Sequence, residues 1–311
     1  MTEEFKPVPL KSERHHWWPQ CVSEHWNDND GSVHWMKPSG EVVRAPAKRF
    51  GVIGNAHHFK PEGGGEHDAW DFTFEPEFNK ADGQFPALIQ WLQGLDCAHV
   101  PLRKTRKDGF KAHVVEDERL ETLVECIVSL VVRSPKFRET GASLAEHFRG
   151  ALGERERNNL ISMNIMHCQR RLTESIGTRG KFAVLFTHER EFHYGDGFYH
   201  NLSSQTQDGF GARILVPITP NIAVFYCLPN QYMTEPRLVT LMLTDDEVTE
   251  LNQSIQIYAK DFVFFRKEKP KPLEAYKIGE HRAHGNRDPF DDWVQDISGS
   301  QLGPTRVNFD L

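Results

Sequence analysis

Apolar residues recur at three- and four-residue intervals through the middle of the chain, a spacing that predicts amphipathic helices. The clearest stripe consists of Leu120, Leu123, Val124, Ile127 and Val131. Pro135 predicts that this helix ends soon after Arg133, because proline disfavours helical backbone at the residue before it.

Three more helices are predicted on either side of this one. They cover 86–95, with a start as early as Glu75, then 143–152 and 155–176. Gly177 ends the last of them, since glycine readily adopts the conformation that closes a helix C-terminus. The middle of the chain is therefore predicted to be mostly helical.

Short apolar runs in the final third predict strands instead. They cover 181–187, 191–195, 212–218 and 222–228. The second run is predicted as the hairpin partner of the first, and Thr219-Pro220-Asn221 forms a compact turn between the last two. Thr244 and Glu247 form a capping box, which predicts the start of one more helix.

Polar turn clusters divide the N-terminal region into short elements. Pro19 suits the first turn of a short helix over 20–26, and the polar run 27–31 ends it. The runs 32–36 and 41–47 then predict a β-hairpin.

These elements predict an α+β fold, in which the helical middle packs on a mostly antiparallel sheet and the N-terminal short helix and hairpin return to that sheet. A single domain is expected over 1–266, with a His-His motif region (12–80), a helical region (81–178) and a sheet region (181–266). Residues 267–311 are charged and proline-bearing. They are predicted to be a C-terminal extension, either packed at Phe290 and Trp293 or loose.

Composition narrows the possible partners and location. The formal charge of -7 lacks the strongly basic balance of many nucleic-acid-binding proteins, although a local basic patch is compatible with it. Five widely spaced cysteines without a CxxC pair predict reduced thiols rather than disulfides or a zinc knuckle. The charged N-terminus lacks a signal peptide, and no apolar run reaches about 18 residues. A cytoplasmic protein without a membrane partner is expected.

Several common catalytic motifs are absent from the sequence. It has no GxxxxGK[ST] phosphate loop, no GxGxxG after a strand and no GxSxG elbow. ATPase, dinucleotide oxidoreductase and α/β-hydrolase functions are therefore disfavoured.

Histidine is the most distinctive candidate for chemistry. The chain has 16 histidines, and His15 and His16 form an adjacent pair near the start. One of them is predicted to ligate a metal and the other to act as general base, the alternative being a structural cap. Gln20 is predicted to orient His16 or to contact substrate.

Asp196 lies between two glycines at a predicted strand end. Such a carboxylate suits a divalent cation or a general base, and it equally suits the closure of a β-turn. Arg133 and Arg138 flank Ser134-Pro135. They form either a fork for phosphate or a buried structural ion pair.

Four landmarks follow one another in order. They are Arg14-His15-His16-Trp17-Trp18-Pro19-Gln20, Arg133-Ser134-Pro135-Lys136-Phe137-Arg138, the strand ending at Gly195-Asp196, and Leu215-Val216-Pro217-Ile218-Thr219-Pro220 with the later helix containing Asn252. In this order they resemble the domain of unknown function 4238, a family of uncharacterised bacterial proteins, over residues 12–266. His25 departs from the family's usual Asn, and around Asp196 the sequence Gly195-Asp196-Gly197-Phe198 departs from its Ser-Asp-x-Pro pattern. The resemblance implies no reaction.

The residue types predict a metal-dependent hydrolase, most simply a nuclease or phosphodiesterase with a role in bacterial defence. His15, His16 and Asp196 are the predicted catalytic residues, with His16 and Asp196 holding Mg²⁺, Mn²⁺ or Zn²⁺. Gln20, Arg133 and Arg138 are predicted to bind a nucleic-acid substrate. The alternative is a non-catalytic ligand-binding or regulatory protein.

Overall fold

A computed structural model of the chain describes residues 14–46, 51–54, 58–59, 72–98, 103–177, 179–200, 212–228, 235–279 and 290–298. Most of its helical residues lie in the middle of the chain and most of its strands lie on either side, and antiparallel pairing dominates its sheets. The α+β class predicted from the sequence is confirmed.

The helical layer is centred on the helix with the clearest apolar stripe. The helices are α1 (Gln20–Ser23), α2 (Pro76–Gln93), α3 (Asp117–Arg133), α4 (Pro135–Arg149), α5 (Glu154–Gly177), α6 (Asp245–Tyr258), α7 (Glu274–Lys277) and α8 (Asp291–Ser298). Helices α2, α4 and α5 all pack on α3. Every residue of α3 from Leu123 to Arg133 is buried, which makes it the core helix of this layer.

Most strands are short. They are β1 (Arg14–His16), β2 (Ser32–Met36), β3 (Val42–Pro46), β4 (Val52–Gly54), β5 (His58–Phe59), β6 (Phe72–Thr73), β7 (Lys111–His113), β8 (Lys181–Phe186), β9 (Tyr194–Gly195), β10 (Tyr199–His200), β11 (Arg213–Thr219), β12 (Ile222–Cys227), β13 (Leu238–Met242) and β14 (Val263–Phe265). Those that were not predicted are five residues long or shorter, which is too short for a clear period of two.

The main sheet has six strands in the order β10-β11-β12-β8-β13-β7. Strands β8 and β13 run parallel, and the other neighbours in this sheet are antiparallel. Strand β12 is buried along its whole length, as its unbroken apolar sequence requires. Both α3 and α8 contact this sheet.

The segment predicted to pair with β8 lies in a different sheet. Because β8 is flanked by β12 and β13, it has no open edge for residues 191–195. Strand β9 instead pairs with β14, in a four-stranded sheet of order β3-β2-β14-β9. The predicted hairpin between 181–187 and 191–195 is therefore wrong.

The N-terminal hairpin is confirmed, but it does not return to the main sheet. Strands β2 and β3 pair antiparallel, and β2 continues the four-stranded sheet by pairing with β14. The predicted short helix is α1 followed by a 3-10 turn, Glu24–Trp26. Strand β1, which carries the two adjacent histidines, pairs separately with β4.

Helix α4 begins eight residues earlier than the predicted start at Ser143. The hydroxyl of Ser134 accepts a hydrogen bond from the amide of Phe137 at 3.3 Å, and Pro135 occupies the first helical turn. Proline is favoured there because the first amides of a helix have no intrahelical acceptor. The proline that ends α3 therefore also starts α4.

The C-terminal residues contribute to the main core. Phe290, Trp293 and Ile297 are buried in the same hydrophobic cluster as α3 and the main sheet. The ring of Phe290 packs on that of Tyr199, with 3.9 Å between centroids. Over 290–298, the predicted extension is thus packed, which was one of its two expected states.

Candidate functional site

The two tryptophans of the opening motif lie in the core. The Trp18 ring stacks on Tyr194 with 4.1 Å between centroids and packs against Phe264 at 4.6 Å. The amide of Trp17 donates to the carbonyl of Gly51 at 2.8 Å. Gly51 has a φ of +72°, and a Cβ there would lie 3.0 Å from the Trp18 Cβ. These contacts fix the motif's backbone against the core.

The adjacent histidines of β1 point to opposite faces of the strand, as alternate side chains do. His15 is buried, with its Nε2 3.8 Å from a carboxylate oxygen of Glu75. The His16 side chain is half-buried, and its backbone carbonyl accepts from Arg133 Nη1 at 3.4 Å. Only His16 therefore presents part of its side chain to solvent.

Arg133 lies wholly inside the protein, paired with Asp82. Its Nη1 and Nη2 donate to the two Asp82 oxygens at 3.1 and 2.6 Å. Its Nε donates to the carbonyl of Ser129 at 3.2 Å, and the guanidinium lies 4.6 Å above the Phe78 ring. These contacts are those of the structural ion pair, one of the two alternatives. Phosphate binding by Arg133 stays a prediction, and it would require these contacts to open.

Gln20 and Arg138 lie at separate places on the structure. Gln20 is exposed on α1, and its Nε2 donates to Glu24 at 2.8 Å. Arg138 lies on the first turns of α4, where burial lowers the pKa of its guanidinium to about 10, with Arg157 adding to the shift. Their predicted contacts with substrate stay predictions.

Asp196 ends the hub segment, the name used here for Glu191–Asp196. Its Oδ1 accepts from the amide of Lys260 at 2.6 Å and its Oδ2 from the amide of Asp261 at 2.9 Å. Its own amide donates to the carbonyl of Phe262 at 3.1 Å. The side chain has no exposed surface. Through the two amide hydrogen bonds, its carboxylate binds the loop between α6 and β14, and this arrangement is called the clasp below.

The close packing around Asp196 accounts for the raised pKa of its carboxyl and for the glycine that follows it. Burial raises the pKa of its carboxyl to about 7, against the opposing effect of the backbone N–H donors. The Asp196 carbonyl accepts from the amide of Lys136 at 3.2 Å, which ties it to α4. A Cβ on Gly197 would lie 2.3 Å from the carbonyl oxygen of Tyr258. Glycine there allows the backbones to approach this closely.

The hub segment is where all four sequence landmarks meet. The Asn252 amide donates to the carbonyl of Glu191 at 2.9 Å and accepts from the amide of His193 at 2.8 Å. The amide of Phe192 donates to the carbonyl of Pro220 at 2.8 Å. Together with the Trp18 stack and the Lys136 bond, these contacts join distant motifs around one short segment. At this segment, the side chains of Asn252 and Asp196 form their hydrogen bonds with backbone groups.

A metal site at His16 and Asp196 stays a prediction. Within the described ranges, no group of three or more His, Cys, Asp or Glu side chains has an arrangement able to hold a metal ion.

A cationic pocket lies beside the hub segment, between α6 and the chain after β14. This α6 pocket has a volume of about 430 Å³. Its lining residues are Arg190, His193, Thr249, Asn252, Gln253, Gln256, Glu268, Lys269, Pro270, Lys271 and Leu273. Three cations and one carboxylate give it a local formal charge of +2 in a chain of net charge -7.

His193 is the least ordinary group of the α6 pocket. Burial lowers the pKa of its imidazole to about 4, and Arg190 adds to the effect while Glu191 opposes it. The ring is therefore neutral at pH 7. Its Nδ1 is shut off from solvent and has no hydrogen-bond partner among the described residues.

A second, smaller pocket opens where the parallel strands β8 and β13 end. This strand-end pocket has a volume of about 300 Å³. It is lined by His25, Gln93, Phe186, Thr187, Thr219, Pro220, Asn221, Ile222, Met242 and Arg266. Arg266 is its cation, and Phe186, Ile222 and Met242 are its apolar wall.

Neither pocket was predicted from the sequence. The run Lys269-Pro270-Lys271 was grouped with the charged C-terminal extension, and the concentration of cations over 266–271, with Glu268 as the one carboxylate among them, was the available signal. His193 was not among the predicted site residues. Its backbone amide donates to Asn252, which is 59 residues away in sequence.

Comparisons with protein families, with curated proteins and with solved structures find no match to this chain. The resemblance to the domain of unknown function 4238 therefore stays a prediction. No described helix is both long and apolar enough to span a membrane.

Proposed function

We propose that this chain binds a phosphorylated small molecule in the α6 pocket, and that binding is its primary function. The observation that carries the proposal is the cluster of Arg190, Lys269 and Lys271 around a neutral imidazole. Within the described residues, Lys269 and Lys271 have no carboxylate partner. Their ammonium groups are therefore available to an anion.

The polar groups of the pocket suit phosphate oxygens. Lysine and arginine donate charge-assisted hydrogen bonds to phosphate. The exposed amide of Gln253 adds a neutral donor, and the His193 ring can donate from one nitrogen or accept at the other. The volume lies within the roughly 300–1,000 Å³ of small-molecule sites.

The contacts of Asp196, predicted to be catalytic, and of Arg133, predicted to bind substrate, favour ligand binding elsewhere over catalysis at these two groups. Arg133 is engaged by Asp82, and the Asp196 carboxylate by two backbone amides. Both side chains are fully buried. A reaction at these groups would need the core to open, whereas a ligand reaches the α6 pocket directly.

Calorimetric titration with pyrophosphate tests the proposal. The variant Lys269→Gln/Lys271→Gln removes two pocket cations. Each unit charge at ~4 Å contributes about 1 kcal/mol in water, so the double variant is expected to weaken binding by roughly 25-fold. The effect should shrink in high salt, which screens exposed charges.

The matched control is Lys37→Gln/Lys277→Gln, which makes the same change in net charge at two exposed lysines outside the pocket. It should leave the affinity within about twofold of the parent chain. Equal weakening in both double variants would mean that net charge, and not the α6 pocket, attracts the anion.

The second candidate is the metal-dependent nuclease or phosphodiesterase. The observation in its favour is that His16 keeps part of its side chain in contact with solvent and His193 is neutral, the form that ligates a metal or accepts a proton. Purified chain would be incubated with RNA and DNA in Mg²⁺, Mn²⁺ or Zn²⁺. Cleavage that needs metal and is lost in His16→Ala or His193→Ala supports it. Absence of cleavage, or cleavage unchanged in both variants, excludes it.

A further inference from the structure

The strand-end pocket is lined mainly by residues of the main sheet, by Gln93 at the end of α2 and by Arg266 after β14. Its floor is formed where β8 ends at Phe186 and the parallel strand β13 ends at Met242. The turn between β11 and β12, with Pro220 and Asn221, forms one side. None of these residues lines the α6 pocket, so the two cavities are separate sites.

One edge of the Arg266 guanidinium, the N–H groups of Nη1, is available to a ligand in this pocket. Its Nε donates to both Glu191 oxygens, at 3.1 and 3.3 Å, and its Nη2 donates to Glu191 and to Asn221 Oδ1. The two N–H groups of Nη1 have no acceptor among the described residues. A guanidinium has five donors, so the Glu191 pair leaves this edge for a ligand oxygen.

The charge around Arg266 suits a monoanion. Glu191 is shared by Arg266 and Lys267, whose Nζ lies 2.9 Å from Glu191 Oε1. Two cations and one carboxylate leave a local formal charge of +1. Burial lowers the pKa of His25 below its usual value, against the opposing effect of Glu24, and Arg266 lowers it further, so a second positive charge is disfavoured there.

The remaining wall is apolar. Phe186 and Met242 are half-buried, and Ile222 is 4% exposed. A hydrocarbon or aromatic group gains free energy from covering such a surface, whereas a phosphate would lose hydration there. The wall and the single unused guanidinium edge thus select for a ligand with one charged end and one apolar end.

We propose that the strand-end pocket binds a small organic monocarboxylate, with its carboxylate on Nη1 of Arg266 and its apolar body against Phe186, Ile222 and Met242. This is a second site, independent of the phosphate site proposed above. The geometry of Arg266, Asn221 and Thr187 supports it: Asn221 Nδ2 donates to Thr187 Oγ1 at 3.2 Å and so holds Asn221 Oδ1 towards the guanidinium.

The test compares benzoate with its neutral isostere benzamide, using amide chemical shifts of the full-length chain. Benzoate is expected to bind at least tenfold more tightly, because only the carboxylate forms a charge-assisted bond with Arg266. Equal affinity for the two compounds, or no saturable shift with benzoate, would overturn the proposal.

Two variants locate the site. Met242→Trp fills the cavity and should weaken benzoate binding at least tenfold, while the control Met163→Trp, at an exposed position on α5, should leave it unchanged. Arg266→Lys keeps a cation beside Glu191 but removes the second edge, and should also weaken binding at least tenfold. It serves as the test if Met242→Trp does not fold. Binding retained in a folded variant of either kind would refute the assignment, and pyrophosphate affinity should stay unchanged in Arg266→Lys.

Discussion

The position of Asp196 in the sequence predicted a catalytic carboxylate, whereas its contacts in the fold are those of a structural group that holds a loop. Its two oxygens satisfy the amides of Lys260 and Asp261, just after α6 ends. Buried amides without acceptors are costly, so a carboxylate with two oxygens suits this loop. The clasp also fixes the hub segment, which carries His193 into the α6 pocket.

Replacing Asp196 with asparagine should destabilise the fold. Asparagine has one acceptor oxygen, so one of the two amides would lose its partner and face the side-chain NH₂ group. The expected loss is about 1–3 kcal/mol of unfolding free energy, measured by urea denaturation. The adjacent, half-exposed Asp261→Asn is the control and should cost less than about 1 kcal/mol. Equal losses would mean that the Asp196 bonds contribute little.

The pH dependence of stability should carry the sign of a raised pKa. Burial raises the pKa of Asp196 from 3.8 to about 7, so between these values the folded protein binds the proton and the unfolded chain does not. The stabilisation from this group is therefore greatest at acid pH and declines as the pH rises to about 7, by at most about 1.4 kcal/mol per pH unit.

The check is the difference in unfolding free energy between the parent chain and Asp196→Asn, measured from pH 4.5 to 7.5. That difference should shrink as the pH rises, because only the parent chain titrates at this position. A difference that grows with pH would mean that the two amides hold the carboxyl ionised in the fold.

The sequence predicted hydrogen-bond partners that lie close together along the chain, but it did not predict distant ones. The capping box of Thr244 and Glu247 was predictable, because both of its partners lie within four residues. The sequence allowed either a ligand-binding or a structural role for Arg133, because its partner Asp82 lies 51 residues away. Long-range polar pairing leaves no periodic signal in a single sequence.

At the scale of elements, α8 shows how a short segment in a charged region can belong to the core. Trp293 is 1% exposed, and the Arg106 guanidinium lies 4.3 Å above its ring. Arg106 also donates to Asp296 at 3.0 Å, and Arg213 pairs with Asp291 at 2.7 Å. The helix is thus held by both apolar and ionic contacts.

Removing the Trp293 side chain should cost about 3–5 kcal/mol of unfolding free energy, the usual loss for a buried tryptophan replaced by alanine. Phe148→Ala is the control, because Phe148 is 76% exposed on α4, and its cost should stay under about 0.5 kcal/mol. Urea unfolding followed by circular dichroism gives both values. A similar cost for the two variants would show that α8 does not support the core.

The bounds of long periodic helices were predictable, whereas the pairing partners of very short strands were not. Helices α3 and α5 follow apolar stripes over four turns or more, and their predicted ranges nearly match the observed ones. Strands β9 and β14 have two and three residues, too few to specify a partner. Since β8 already has two neighbours, only the assembled sheet excludes the predicted hairpin.

At the scale of the whole molecule, the local charge of the α6 pocket is opposite in sign to the net charge of the chain. The chain is acidic overall, at -7, yet the α6 pocket has a local formal charge of +2. Such a contrast steers anions towards one place on the surface. Trp18, Arg133 and Asp196 are buried and do not line the pocket, whereas Asn252 lines it and bonds to the hub segment, so structural support and ligand contact fall mainly on different residues.

The most direct test of this division is an amide chemical-shift titration of the ²H,¹⁵N-labelled chain with pyrophosphate. The largest shifts should fall at Arg190, His193, Gln253, Lys269 and Lys271, with small changes at His16 and Asp196. The largest shifts at His16 and Asp196, or no saturable shifts at all, would contradict the account.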